Sequence, residues 1–267
     1  MLIGQHFPRY TDVSLKMPGT AFSTSSQVAA PLTPDPTMRK KLLNVPLGVW
    51  IGFFSVSIIF VAFPQIDLGV AELFYTPGVG FRANGVWYEK LMYKSVEVIL
   101  ISGTVFLLFL WLYSRFARRP RVQFSGKELG FLLLVLALGP GLIVNSILKE
   151  NCGRARPVNL IQFGGSQEFS RAFLPSDQGG HSFPSGHAAG AFFLMTVALI
   201  LTRRKRLWIG LALGYGFLVG LARMAAGGHF LSDILTSFFI VLILSLMLHG
   251  FMFSETPQRD RVANDSS

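Results

Sequence analysis

Six apolar stretches constrain the fold of this chain more than any other feature of its sequence. A helix needs about 20 predominantly apolar residues to cross the hydrocarbon core of a bilayer. The stretches that approach this length cover residues 46–64, 93–113, 128–148, 187–202, 207–222 and 232–252. They predict an all-α membrane protein with six transmembrane helices.

Composition supports a membrane protein over a soluble domain. Of the 267 residues, 51% are hydrophobic and only 14% are charged, which is too apolar for an ordinary soluble fold. Cys152 is the single cysteine, so no internal disulfide is expected. The formal net charge of +10 is concentrated beside the apolar stretches, without a nucleic-acid-binding motif. It favours anionic lipid headgroups as its partner, and no nucleic acid.

Small residues interrupt two of the apolar stretches. Pro140 and Gly141 lie in the third, and the fifth contains Gly210, Gly214, Gly216 and Gly220. Such residues are tolerated in lipid, where they let helices approach closely. We interpret these glycines as helix-packing positions.

The loops between the stretches carry a biased charge. Lysine and arginine collect on the cytoplasmic side of membrane proteins. The basic residues that flank the stretches on one side are Arg39, Lys40, Lys41, Arg115, Arg118, Arg119, Arg121, Lys127, Arg203, Arg204, Lys205 and Arg206. Both termini are therefore expected in the cytoplasm, with the polar loops at 65–92, 149–186 and 223–231 on the opposite, non-cytoplasmic face.

These patterns divide the chain into three parts. Residues 1–44 form an expected mobile cytoplasmic tail, since they are rich in Ser, Thr and Pro and show no helical or strand period. Residues 45–253 form the expected six-helix membrane domain. Residues 254–267 are expected to be a cytoplasmic C-terminal tail.

The first polar segment joins cations to a helix-ending turn. Lys149 and Arg156 flank Gly153, and Pro157 prevents a helix from continuing. An arginine offers a planar fork of donors that matches phosphate oxygens, and a lysine adds a point charge. Either cation alone is explained as well by contact with lipid headgroups.

The second polar segment immediately precedes an apolar stretch. Ser185 is placed to cap a helix, and Gly186 permits close approach of the backbone to a ligand. His187 follows at the beginning of the stretch. These residues are consistent with anion binding, and equally with a plain helix cap beside a histidine.

The third polar segment is the most specific. His229 and Asp233 are four residues apart, so on a helix they would share a face. The carboxylate could then hydrogen-bond one ring nitrogen and leave the other free to attack as a covalent nucleophile. Arg223 lies across the Gly227-Gly228 turn, where it could hold phosphoryl oxygens. The alternative is a buried structural His-Asp pair.

The alternative to a metal-free phosphate site is a zinc site, with His187, His229 and Asp233 as the ligands. The cations Lys149, Arg156 and Arg223 would repel a divalent ion, and metal-assisted phosphate hydrolysis usually uses several carboxylates. The sequence therefore predicts catalysis without a metal ion or another cofactor.

The three segments together resemble the signature of the type 2 phosphatidic acid phosphatase family. The resemblance consists of Lys149 with Arg156-Pro157, then Pro184-Ser185-Gly186-His187, then Arg223 with His229 and Asp233, in the family's order. It covers roughly residues 46–252. In this chain Ala222 stands where the family commonly has a serine before the arginine.

The resemblance implies a role for each site residue. His229 would attack phosphorus, Asp233 would orient it, and His187 would protonate the leaving oxygen and then activate water. Five groups would hold the phosphate oxygens: Lys149, Arg156, Ser185, Gly186 and Arg223. We therefore expect an integral membrane lipid phosphatase in the inner membrane, with its active site facing the periplasm.

The expected substrate is a membrane lipid phosphate. The stretch 163–173 and the third segment are similar to the bacterial lipid A phosphatase branch of the family, which favours lipid A. Undecaprenyl diphosphate and phosphatidylglycerophosphate remain alternatives, as does transfer of the phosphoryl group to another lipid. A polytopic lipid transporter is the non-enzymatic alternative, and the oligomeric state is not legible in the sequence.

Overall fold

The structure is a computed structural model that describes residues 40–117, 123–201 and 203–253. The predicted tails lie almost wholly outside the described residues, as do the loop cations Arg118, Arg119 and Arg121. Within the described ranges the chain is mostly helical. The predicted all-α class is therefore confirmed for this part of the chain.

The described residues form nine α-helices: α1 Leu47–Ala62, α2 Gln65–Glu72, α3 Trp87–Phe116, α4 Gly126–Leu136, α5 Lys149–Cys152, α6 Gly186–Phe192, α7 Leu194–Ile200, α8 Lys205–Ala225 and α9 Leu231–Phe253. A π-helical segment, Ala137–Leu148, joins α4 to α5, and short 3-10 turns lie at Pro157–Asn159 and Ile161–Phe163.

Two minimal hairpins accompany the helices. Strands β1 (Lys41–Leu42) and β2 (Val45–Pro46) pair antiparallel immediately before α1. Strands β3 (Tyr75–Thr76) and β4 (Gly80–Phe81) pair antiparallel between α2 and α3. Each hairpin fixes the direction in which the chain enters the following helix.

Every predicted apolar stretch is helical, but the number of membrane spans is a separate matter. Four helical segments are long and apolar enough to cross a bilayer, and a fifth span results if α1 and α2, which meet at a bend of 84°, count as one. The stretch at 187–202 corresponds to a shorter apolar segment, Gly186–Ile200. The count of six transmembrane helices therefore stays a prediction.

Pro140 explains why the third stretch is not a continuous α-helix. A proline has no backbone N–H and its ring clashes with the preceding turn, so a regular α-helix cannot pass through it. The helix changes to π geometry from Ala137 to Leu148. The Asn145 side chain donates to the Pro140 carbonyl oxygen across 2.7 Å, which compensates for the altered backbone pattern.

The largest hydrophobic core forms where α4, α6 and α9 meet. Phe131, Phe192 and Ile234 are almost completely buried there. In contrast, α3 leaves Ile101, Val105 and other large apolar side chains exposed. An exposed apolar face of this length is expected of a helix that contacts lipid.

The polar segments meet at one end of the helical bundle. The end of α8 and the start of α9 lie there, joined by a short turn. The start of α6 lies beside them, since the Ser185 N–H donates to the Asp233 carbonyl oxygen at 3.4 Å. At the opposite end, the rings of Phe131 in α4 and Phe253 in α9 are 5.4 Å apart. The fold thus separates the polar end from the basic loop ends.

The glycines of α8 divide into two kinds. A Cβ atom at Gly216 would lie 2.3 Å from the Phe192 ring, and one at Gly220 would lie 2.6 Å from Ile234. Around Gly210 and Gly214 there is open space. The packing interpretation is therefore confirmed for Gly216 and Gly220, and it was wrong for the other two.

This contrast predicts different effects for two substitutions on one helix. Gly216→Ala forces its methyl group into the buried Phe192 ring and should destabilise the fold by about 1–3 kcal/mol. Gly214→Ala adds a methyl group to an exposed position and serves as the matched control. The measurement is the thermal unfolding midpoint in detergent, and equal midpoints for the two variants would contradict the packing described.

Candidate active site

His229 lies in the turn that precedes α9, with a fully enclosed imidazole ring. It is 3% exposed, and its Nδ1 atom is 2.6 Å from the backbone carbonyl oxygen of Ser182. Because a carbonyl oxygen can only accept a hydrogen bond, Nδ1 carries the proton. The lone pair is therefore on Nε2, which is the arrangement a nucleophilic histidine requires.

The structure corrects one detail of the predicted His-Asp pair. The prediction placed both residues on a helix, with the carboxylate bonded to the ring. In fact α9 begins only at Leu231, and Asp233 Oδ2 is 3.6 Å from Nδ1. Ser182 occupies the hydrogen-bonding position instead, so the carboxylate acts on the ring through its charge.

The environment of His229 keeps its ring neutral. Burial lowers the pKa of the imidazole below its ordinary value of 6.5, and the positive charge of Arg223 acts in the same direction. The Asp233 carboxylate and the Ser182 carbonyl oppose this shift. A lowered pKa keeps the attacking lone pair available at neutral and mildly acidic pH.

Asp233 is held by three donors in the first turn of α9. Its Oδ1 accepts from Arg154 Nη1 at 2.6 Å. Its Oδ2 accepts from the Ser182 hydroxyl at 2.6 Å and from the Phe230 backbone N–H at 2.7 Å. These bonds fix the carboxylate beside His229, because neither oxygen can turn away without breaking one of them.

Arg154, His181 and Arg171 lie near the site in the sequence, which does not show whether they touch substrate. In the structure Arg154 is completely enclosed. It is 1% exposed, and its second ion pair joins Nη2 to Asp67 Oδ2 at 2.9 Å. The ring of Phe230 lies 4.2 Å from its guanidinium carbon. Arg154 therefore contacts protein groups on all sides, whereas His181 and Arg171, the other two residues in question, are exposed.

His187 lies in the first turn of α6, half-buried. Its ring contacts that of Tyr93 of α3, with the ring centroids 3.8 Å apart and an angle of 33° between the ring planes. The groups close enough to act electrostatically on this ring include Arg223, His229 and Lys149. These interactions bring the predicted acid and the predicted nucleophile into one cluster.

Arg223 ends α8 with a guanidinium group that is only partly satisfied. It is 8% exposed and forms an ion pair with Glu89 of α3. Among the buried side-chain atoms that the structure describes, its Nε is one of few without a hydrogen-bond partner. An orphaned buried donor is costly, and here it belongs to a residue predicted to bind phosphate.

Lys149 and Arg156 complete a group of three cations with Arg223. The charge of Lys149 interacts with both arginines, and Arg223 interacts with Arg156. Lys149 and Arg156 are each half-buried. Three cations that repel one another at the edge of an apolar bundle favour an anion between them.

Ser185 and Gly186 have defined structural roles. The Ser185 hydroxyl accepts from the Ala188 N–H at 3.4 Å and caps α6, as the sequence predicts. A Cβ atom at Gly186 would lie 2.5 Å from Asn145 Oδ1. Their part in binding phosphate stays a prediction.

Sequence reasoning did not identify Asp67, Glu89 and Ser182 as part of the site. Two of them had a usable signal, since a carboxylate beside an apolar stretch is costly without a partner. Asp67 is 1% exposed and Glu89 is 7% exposed. Ser182 acts through its backbone carbonyl as well as its hydroxyl, and residue type gives no signal for a carbonyl.

Two curated relatives match most of this chain. The lipid A 4'-phosphatase of Francisella tularensis subsp. novicida is 32% identical over 226 residues, which span 79% of this chain and 96% of that protein. The lipid A 4'-phosphatase of Rhizobium leguminosarum is 26% identical over 224 residues, which span 78% of this chain and 96% of that protein.

A solved structure shares the fold. It is the crystal structure of a transmembrane PAP2 type phosphatidylglycerolphosphate phosphatase from Bacillus subtilis, with a TM-score of 0.50 and 22% sequence identity. The match covers 77% of this chain and 94% of the other.

The family assignment rests on the extent of these matches. A sequence profile of the PAP2 superfamily matches residues 128–257, which include all eight predicted site residues. The Francisella relative extends the similarity over most of the chain. The resemblance to type 2 phosphatidic acid phosphatases is thereby confirmed: the chain belongs to the PAP2 superfamily.

Proposed function

We propose that this chain is an integral membrane phosphatase that removes a phosphate from a membrane lipid through a phosphohistidine at His229. The observation that carries the proposal is the hydrogen bond from His229 Nδ1 to the Ser182 carbonyl oxygen, 2.6 Å long. It leaves the Nε2 lone pair free on a ring that burial keeps neutral. A histidine that served only to fill the core would not need cations gathered beside it.

The first half-reaction transfers the phosphoryl group to the protein. The Nε2 lone pair of His229 forms an N–P bond while the bond from phosphorus to the lipid oxygen breaks. His187 gives a proton to that oxygen as it leaves. The imidazole keeps its Nδ1 proton, so the phosphorylated ring carries a positive charge.

The second half-reaction restores the enzyme. His187, now neutral, takes a proton from a water molecule, and the resulting hydroxyl oxygen attacks phosphorus. The N–P bond breaks, its electron pair returns to Nε2, and inorganic phosphate leaves. One water molecule is consumed for each lipid phosphate hydrolysed.

The phosphate oxygens are assigned to the three cations. Lys149, Arg156 and Arg223 supply positive charge where negative charge builds in the transition state. The unpartnered Nε of Arg223 is a donor that a phosphate oxygen would satisfy. Ser185 and the Gly186 backbone are assigned to the same oxygens.

The reaction proposed uses no metal ion. Both oxygens of Asp233 accept hydrogen bonds from protein donors, so this carboxylate has no oxygen turned toward a ligand. The cations would repel a divalent ion placed between His187 and His229. In this proposal the side chains and backbone of the protein supply the charge stabilisation.

Lipid A is the favoured substrate. Two relatives that match most of this chain are named lipid A 4'-phosphatases, and the stretch 163–173 is similar to that branch. Undecaprenyl diphosphate and phosphatidylglycerophosphate are the competing substrates.

The proposed location is the inner membrane, with six spans, both termini in the cytoplasm and the site facing the periplasm. The separation of the polar end of the bundle from the described basic residues Lys127, Lys205 and Arg206 supports this orientation. The apolar faces of α1 and α3 support a multi-pass membrane protein. A site at the membrane edge suits a substrate whose leaving group stays in the bilayer.

Removing the nucleophile tests the function directly. His229→Ala should abolish phosphate release from lipid A, undecaprenyl diphosphate and phosphatidylglycerophosphate, each assayed with purified protein in detergent. His249→Ala, at the far end of α9, is the control and should retain activity. Substantial hydrolysis by His229→Ala would contradict the proposal, and a lipid product carrying the phosphate would identify a phosphotransferase.

The pH dependence follows from the lowered pKa of His229. The ring must be neutral to attack, and a lowered pKa keeps it neutral below pH 6.5. The acid limb of the kcat/KM profile should therefore lie below pH 6.5. An acid limb above that value would contradict the environment described for His229.

Chelation separates this mechanism from metal catalysis. Incubation with excess EDTA followed by gel filtration should leave kcat unchanged, because no step uses a metal ion. The measurement is phosphate release before and after treatment, with added zinc as a third condition. Activity that disappears with EDTA and returns with zinc would overturn the proposed chemistry.

A further inference from the structure

Two carboxylates share one guanidinium group behind His229. Arg154 lies between Asp67 of α2 and Asp233 of α9, with ion-pair distances of 2.9 Å and 2.6 Å. All three side chains are at most 1% exposed. We call these three residues, with Ser232 between them, the buried charge cluster.

The hydrogen bonds assign a charge to each member. Asp67 accepts from Arg154 Nη2, from the Ser232 backbone N–H and from the Ser232 hydroxyl. That hydroxyl accepts in turn from Arg154 Nη1 at 2.8 Å. Every recorded partner of Asp67 is thus a donor, and the same holds for Asp233. With Arg154 as their shared partner, both carboxylates are assigned as ionised at neutral pH, where the cluster carries one net negative charge. Burial and the charge of Asp233 raise the pKa of Asp67 against the opposing effect of Arg154, so this charge is the first to be lost as the pH falls.

A net charge in a closed interior is costly unless another group compensates it. The ionisable ring beside the cluster is that of His229, whose Nδ1 is 3.6 Å from Asp233 Oδ2. The other charged or titratable groups that act on this ring are Arg223 of α8 and His187 of α6. Both of these disfavour positive charge on His229. The groups that favour it are the Ser182 carbonyl oxygen, which is uncharged, and the buried charge cluster.

We propose that Asp67 is a positioning residue that leaves the charge of Asp233 uncompensated, so that the cluster stabilises the positive His229 ring of the phosphoenzyme. This inference rests on the proposed function. As Nε2 forms its bond to phosphorus and the lipid oxygen leaves with the His187 proton, the ring retains its Nδ1 proton and becomes a cation. The cluster and the ring are then neutral together.

Without Asp67 the same atoms would act differently. Arg154 would neutralise Asp233 on its own, and the new cation would face a neutral pair with Arg223 on its other side. In the wild-type protein Arg154 has a structural role, because its two ion pairs hold α2, the loop after α5 and the start of α9 together. The negative charge of Asp67 thus offsets the positive charge of Arg154, and the charge of Asp233 remains available to His229.

The test compares two carboxylates on α2. Asp67→Asn preserves shape and removes the charge, so kcat should fall about tenfold and the acid limb of the pH profile should move about one unit lower. The KM for the lipid should stay unchanged, because Asp67 does not contact substrate. Glu72→Gln removes an exposed charge from the same helix and should change neither quantity.

A second variant reverses the sign. Arg154→Gln removes the cation, leaves two buried negative charges, and should move the acid limb about one unit higher. A purely structural role would lower activity at every pH without moving the limb. If Asp67→Asn does not accumulate as folded protein by size-exclusion chromatography, Asp67→Ser, which removes the same charge, takes its place in the comparison with the wild-type protein.

The outcomes separate the two proposals. Opposite shifts in the two variants support the role of the cluster. A folded Asp67→Asn protein with wild-type kcat and an unmoved limb, or a folded Arg154→Gln protein with an unmoved limb, overturns it. The proposed function is refuted instead if the wild-type protein releases no phosphate from any of the three lipids. It is also refuted if the His229→Ala variant retains activity.

Discussion

The ion pair between Arg154 and Asp233 is the interaction on which the rest of the site depends. It fixes one oxygen of Asp233 at the start of α9, which leaves the other oxygen to accept from Ser182 and Phe230. Ser182 then has its hydroxyl on Asp233 and its carbonyl on His229. The position and tautomer of the proposed nucleophile, His229, therefore follow from an arginine that protein groups enclose.

The membrane setting makes this arrangement demanding. A buried charge without a partner costs several kcal/mol, and here the partners come from α2, the loop after α5, and α9. The 84° bend between α1 and α2 gives α2 its direction, and Gly220 lets α8 lie close to Ile234 of α9. Packing and electrostatics are therefore coupled: a change that separates the helices also exposes or unpairs the charges.

Much of this could be predicted from the sequence, and the limits have physical causes. Apolar length located all six helical stretches, and residue chemistry located the cations and histidines. Apolar length could not show that Pro140 changes the helix to π geometry. Four-residue spacing suggested a direct His229-Asp233 bond, but the bond goes to the Ser182 carbonyl, since tertiary contacts decide which acceptor is nearest. Asp67 was missed because it is 166 residues from Asp233 in a chain whose folding alone brings them together.

The central claim is that His229 carries the phosphoryl group. Rapid quenching of the wild-type enzyme during turnover of phosphate-labelled lipid, followed by mass spectrometry at alkaline pH, tests it most directly. The account predicts an acid-labile phosphate on the peptide containing His229, which disappears when the substrate is exhausted. A full turnover with no phosphorylated peptide, or with the label on His187 instead, would contradict the account.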